Sequence, residues 1–91
     1  MVNVRSFQIA GVRCWFWSND HEPPHFHIEA EDGDWNAKVF FLLDDDQMIQ
    51  DVYARKSSGI PTQMRKVLYN EIGLNRIDLL MQWEDLHREE V

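Results

Sequence analysis

His25-Phe26-His27-Ile28-Glu29-Ala30-Glu31-Asp32-Gly33-Asp34-Trp35-Asn36-Ala37-Lys38-Val39, continuing through Phe40 and Phe41 to Leu43, is the stretch that decides the fold. From His25 to Glu31 apolar and polar residues alternate. Successive side chains of a strand leave on opposite faces, so Phe26, Ile28 and Ala30 share one face and His25, His27, Glu29 and Glu31 the other. Asp32-Gly33 accepts positive φ and marks a hairpin turn, with Trp35 to Leu43 as the return strand. A turn there sets Glu31 opposite Asp34, Ile28 opposite Ala37, His27 opposite Lys38 and Phe26 opposite Val39. The register gathers Phe26, Ile28, Ala30, Trp35, Ala37 and Val39 into one core face.

The pattern extends in both directions. In Phe7 to Trp17, Val12, Cys14 and Phe16 alternate with Arg13, Trp15 and Trp17, and Gly11 marks a hairpin turn or a bulge. Asn19 to Pro24 is a connection, because Pro23-Pro24 cannot sit in a central strand. Beyond the return strand, Asp44-Asp45-Asp46 reads as a solvated turn, Gln47 to Ala54 as a fourth strand and Ser57-Ser58-Gly59 as a loop. Pro61 stands near a helix start. Met64, Val67, Leu68 and Ile72 recur at helical spacing, and Gly73 supplies a stop. A second helix starts at Asn75 as N-cap, with Asp78 three residues on and Leu74 placed to staple to Leu79. Its apolar face is Ile77, Leu80, Met81 and Trp83, with Leu86 or His87 a turn later. Sheet first and helices after predict one α+β domain over residues 1–91. The expected architecture is an antiparallel sheet of three or four strands with two C-terminal helices on one face.

Ninety-one residues at 44% hydrophobic content suffice for one core and leave aromatic surface for a homodimer or another protein partner. A net charge of −7 disfavours non-specific nucleic-acid binding and favours a basic partner. Between Asp51 and Glu71 the charge is local and opposite: Arg55, Lys56, Arg65 and Lys66, read as solvated cations. Cys14 is the sole cysteine, so no internal disulfide forms and a reducing compartment is expected. Met1 to Phe7 lacks the apolar run of a signal peptide, and Val39 to Leu43 is too short to cross a bilayer. The expected setting is cytoplasmic, without a membrane.

His21, His25 and His27 crowd into seven positions beside Asp20, Glu22 and Glu29. Strand geometry points His25 and His27 the same way, and two imidazoles so placed can converge on one divalent ion. His21, on the proline-stiffened loop, is the candidate third nitrogen. The expected metal set is therefore His21, His25 and His27, for zinc, nickel, manganese or iron. Glu29 is a further ligand or an acceptor that fixes a tautomer, and Asp20 and Glu22 are further oxygen candidates. Lys38, across from His27, opposes a cation there unless Glu29 or Glu31 neutralises it diagonally. The ligand-binding set is Asp20, His21, His25, His27, Glu29 and Lys38. The competing readings are a hydrogen-bonded structural cluster and metal-free acid–base catalysis, with His25 and His27 as base and acid and Arg13 and Lys38 on a phosphate. Cys14, on a strand, reads as core rather than nucleophile.

Asn19-Asp20-His21-Glu22-Pro23-Pro24-His25-Phe26-His27 resembles the signature of a small bacterial family, domain of unknown function 4160. The aromatic strand Cys14 to Trp17, Ala37-Lys38, Ile60-Pro61, and Asp78, Leu79 and Trp83 extend the resemblance over most of the chain. Phe40 to Gly59 matches least. The resemblance implies a small intracellular protein encoded near other short partners, uncharacterised or of toxin–antitoxin type. The leading expectation is a cytoplasmic binding or regulatory protein in such a two-gene system, with a histidine-rich ligand or metal patch. The alternative is a small hydrolase or nuclease using the same cluster, with or without a divalent metal.

Overall fold

In the computed structural model, which describes residues 1–54 and 59–88, five strands follow one another across a single antiparallel sheet. They are β1 (Val2–Asn3), β2 (Val12–Phe16), β3 (Phe26–Ala30), β4 (Trp35–Val39) and β5 (Ile49–Ala54), in that spatial order. A four-residue helix, α1 (Asp45–Met48), precedes β5, and a long helix, α2 (Thr62–His87), closes the fold. The class is α+β as expected, with one strand more than the sequence reading counted. The added strand, β1, has two residues and pairs Val2 with Phe16 and Asn3 with Trp15. Two residues are too few to show any period.

The β3–β4 register agrees with the sequence reading: Phe26 pairs with Val39, His27 with Lys38, Ile28 with Ala37 and Glu29 with Asn36. Gly33 sits at φ 77°, where a Cβ would clash with its own backbone. Its N–H bonds to Ala30 O at 2.8 Å, and Asp32 Oδ1 accepts the Asp34 N–H at 2.9 Å. Gly11, at φ 78°, makes the corresponding turn into β2, so the hairpin option holds there and not the bulge. A register shift falls instead at Asn36/Ala37, between β4 and β5.

One face of the sheet is the core. Val12, Phe16, Phe26, Ile28, Ala30, Trp35, Ala37 and Val39 are all buried, alternating with exposed or half-buried neighbours as period two demands. Phe16 is at its centre, edge-on to Phe26 and Phe41 with ring centroids 6.1 and 6.4 Å away. From α2 the buried residues are Leu68, Ile72, Leu79, Gln82 and Trp83, and Trp83 meets Phe16 at 6.3 Å. Gln82 is buried but satisfied: its Oε1 accepts the Arg5 N–H at 3.0 Å and its Nε2 donates to Asn3 O at 2.8 Å.

The two expected helices are the two segments of α2, which meet at a kink at Asn75. Asn75, expected to start a second helix, has non-helical φ −123° and ψ 16°, so the helical backbone is interrupted there and resumes after it. Its Nδ2 donates to Glu71 O at 2.7 Å, taking up a carbonyl that the kink would strand. A side chain that favours caps thus marks a bend. The expected apolar faces are corrected in part. Leu68, Ile72 and Trp83 are buried as expected and Met64 and Leu80 partly so, but Ile77, Met81 and Val67 are 75%, 58% and 42% exposed, and Leu79 is buried in their place.

Removing the Phe16 ring should leave a cavity between sheet and helix. Phe16→Ala is expected to cost about 3–5 kcal/mol in urea unfolding. A loss below about 1 kcal/mol would show that α2 and the sheet do not pack around Phe16.

Candidate functional site

The site grows from the start of β3. His25 directly precedes the strand and continues its register, with its ring 4.8 Å from that of Phe40. His27 lies one alternation further on, on the same open face, and its ring is 5.3 Å from that of His25. Trp15, the cross-strand partner of His27, stacks on it at 5.6 Å and 16°, and Trp17 closes edge-on at 6.5 Å. These flat walls fix the imidazole planes.

The loop before β3 brings Asp20 over both rings. Its Oδ2 accepts from His27 Nε2 at 2.7 Å and stands 3.2 Å from His25 Nε2. The backbone of Asp20 is tied at both ends. Its N–H bonds to Trp17 O at 3.3 Å, and its carbonyl faces His87 Nε2 at 3.0 Å. His87 is held in turn by stacking on Trp83 at 3.9 Å, with Nδ1 2.7 Å from Trp83 O. The last turn of α2 therefore clamps the loop that carries the carboxylate.

His25 is the most constrained member. It is 5% exposed, against Phe40 and Trp83. Its Nδ1 lies 2.9 Å from Pro23 O, an atom that only accepts, so the ring proton belongs on Nδ1. In the neutral ring Nε2 is then a bare lone pair. It is buried, and its approach to Asp20 does not meet hydrogen-bond geometry, so it has no partner among the described residues. A carbonyl fixing one nitrogen and leaving the other free is the arrangement that metal-binding histidines use.

Asp20, His25 and His27 each offer one donor atom, and the three atoms lie within 4.8 Å of one another. Ligand bonds of about 2.0–2.2 Å let one ion reach all three with small side-chain adjustments, once the His27 proton moves to Nδ1 and the ion replaces the Nε2–H contact to Asp20. His21, expected as the third ligand, is exposed and stands outside this group; Asp20 takes that place. Glu22 is exposed as well. Glu29 is committed elsewhere, accepting from Arg13 Nη2 directly across the β2–β3 pair at 2.6 Å. Lys38 is opposite His27 as expected and has neither ion pair nor hydrogen bond among the described residues. Beside His27 a groove of about 290 Å³ opens between Trp15, Glu29, Asn36 and Lys38. A larger concavity of about 500 Å³ lies by the Gly11 turn, away from the histidines.

Two other sequence readings find their places. Arg65 pairs with Asp51 at 3.0 Å and Lys66 is exposed, while Arg55, Lys56, Ser57 and Ser58 lie outside the described residues. Cys14 packs against the core, and burial pushes its thiol up to about 12. No signal short of the fold marked His87. Its one-turn spacing from Trp83 was visible, but its contact with Asp20 spans 67 residues.

Fold and site together define a small α+β protein with a half-buried cluster of two histidines and one carboxylate at one end of an open sheet face. The chain belongs to the family described as Domain of unknown function (DUF4160), whose model matches residues 11–90. No curated protein and no solved structure matches the chain. No described helix is long and apolar enough to cross a membrane.

The Cys14 thiol gives a direct check of the core. A thiol with a raised value stays protonated in the folded chain while the unfolded thiol ionises near 9.0. Its contribution to stability is intact below pH 9 and is lost as pH rises toward 12. Iodoacetamide at pH 8 should leave Cys14 unmodified in native protein and label it fully in urea. Rapid native labelling would contradict the placement of Cys14.

Proposed function

We propose that this chain is a cytoplasmic binding protein whose site takes one divalent transition-metal ion on Asp20, His25 and His27. The observation that carries the reading is His25 Nε2: a buried lone pair, unpartnered among the described residues and beside a carboxylate. Leaving such an atom unsatisfied costs roughly 1–3 kcal/mol, and a cation at that point removes the cost. It also relieves a second shortage. Asp20 Oδ2 lies near two imidazole nitrogens, but with the His25 proton on Nδ1 only His27 supplies an N–H.

Two imidazoles and a carboxylate suit zinc, iron(II), manganese or nickel, and three protein donors leave positions open for a further ligand. Lys38 decides what that ligand is. Its ammonium is uncompensated among the described residues and lines the groove beside His27, so the ligand class is anionic, a carboxylate or a phosphate. The single cysteine fits a reducing, intracellular setting, and the role we propose there is beside a protein partner in a two-gene system of toxin–antitoxin type.

A second reading follows from the same open positions. Three ligands plus an exchangeable site is the arrangement of hydrolytic zinc centres, and Lys38 would then hold an anionic ester or phosphodiester. Turnover of bis(4-nitrophenyl) phosphate by zinc- or manganese-loaded protein, lost in His25→Ala, would establish it. No turnover across several esters would leave binding alone.

Protein purified without a histidine tag should carry about one equivalent of metal by elemental analysis. Asp20→Ala and His25→Ala should each lose it, and His21→Ala should keep it. Adding zinc to the stripped protein should raise the melting temperature by several degrees, about 3–4 kcal/mol at saturating metal. A melting temperature indifferent to both zinc and chelator would sink the metal reading.

The ligand class is tested apart from the metal. Lys38→Met should bind zinc normally while the phosphate affinity of the loaded protein falls roughly tenfold. Equal phosphate affinity in both proteins would remove Lys38 from the site.

A further inference from the structure

Four large apolar side chains stand in solvent along one stripe of α2. Val67 is 42% exposed, Leu74 74%, Ile77 75% and Met81 58%. Their spacing of seven, three and four residues is that of a coiled-coil seam, with Val67, Leu74 and Met81 at a positions and Ile77 at d. The buried residues Leu68, Ile72, Leu79 and Trp83 occupy the other side of the helix. The helix therefore has two apolar faces, and the sheet covers one of them.

Charges flank the exposed stripe on both sides, and Glu84, exposed, takes the d position that follows Met81. Glu71, Asp78 and Asp85 fall on the e flank. Lys66 is on the g flank, with Arg76 further round the same way. Asn70 occupies the other d position within the stripe, where a polar residue fixes alignment at some cost in stability.

We infer that a second copy of this chain covers the stripe, with α2 packed parallel to α2 about a two-fold axis and the two sheets facing outward. Orientation follows from the flanks. A parallel pair sets each g residue against the e residue five positions on, so Lys66 meets Glu71 of the other copy. An antiparallel pair sets e against e, and all three e residues are acidic. The kink at Asn75 falls inside the stripe, at the same level in both helices of a parallel pair. This pairing does not depend on the metal reading, because the stripe lies on the face of α2 turned away from the sheet.

Sedimentation equilibrium of the full chain at tens of micromolar should give a dimer. Leu74→Glu combined with Ile77→Glu should weaken it at least tenfold while leaving the fold intact, since both positions are exposed. Val67→Cys should form a disulfide with its own counterpart under mild oxidation, which only the parallel arrangement allows; Cys14, buried and protonated, does not compete. A monomeric parent chain, or a dimer unmoved by the Glu pair, would overturn the proposal. A dimer in which Val67→Cys fails to cross-link would overturn the parallel arrangement.

Discussion

Phe26, Ile28 and Ala30 have to be buried together, and a strand can bury them together only by turning its other residues outward. That single alternation fixes the core face of the sheet and, with no further information, puts His25, His27 and Glu29 on the opposite side. A slip of one residue of β4 against β3 would bring Lys38 into the core and drive Ala37 and Val39 out, so register here is held by the whole apolar face. The turn at Gly33 reinforces it locally. The histidine pair is thus positioned by hydrophobic burial on the reverse of the strand that carries it.

What the alternation does not supply is the carboxylate. Asp20 reaches His25 and His27 because its loop is pinned at both backbone groups, by Trp17 within the loop and by His87 from the far end of α2. Trp83 links these parts: it packs on Phe16 in the core, approaches His25 at the site and stacks on His87. One aromatic ring therefore connects core packing to site geometry. Gln82, next to it, fastens the β1 end of the chain through two backbone hydrogen bonds.

The extent to which these features were legible in the sequence follows the range of the interactions that make them. Period two is local, so the β3–β4 register, the two faces and the pairing of His27 with Lys38 could all be read from residues 25–39. The helix was harder. Asn75 marks the break between the two helical segments, which its capping preference indicated; what the local sequence did not show is that its side chain bonds back to the Glu71 carbonyl. The outward turn of Ile77 and Met81 was hidden because α2 is apolar on two sides, and a pattern with two stripes does not name the one that meets the sheet. The ligand set was harder still. His21 and Asp20 are neighbours in sequence, and only the clamp from His87 selects Asp20.

The choice between a structural cluster and a ligand site rests on how its polar atoms are satisfied. A histidine cluster evolved only for packing would close its hydrogen bonds, since each buried open group costs stability that a chain of this size can hardly spare. His25 closes one bond, to Pro23 O, and that bond commits the ring to the tautomer that leaves Nε2 open toward Asp20 and His27. Asp20 in turn holds a negative charge with one N–H to answer it from the histidine pair. Both shortages have the same sign and lie at the same point, so one cation resolves them together. Lys38 cannot be that cation in the plane of the cluster, because it rises from the neighbouring strand into the groove beside His27. It is left to face whatever anion the groove admits, which is why the cluster reads as the floor of a site and not as part of the core.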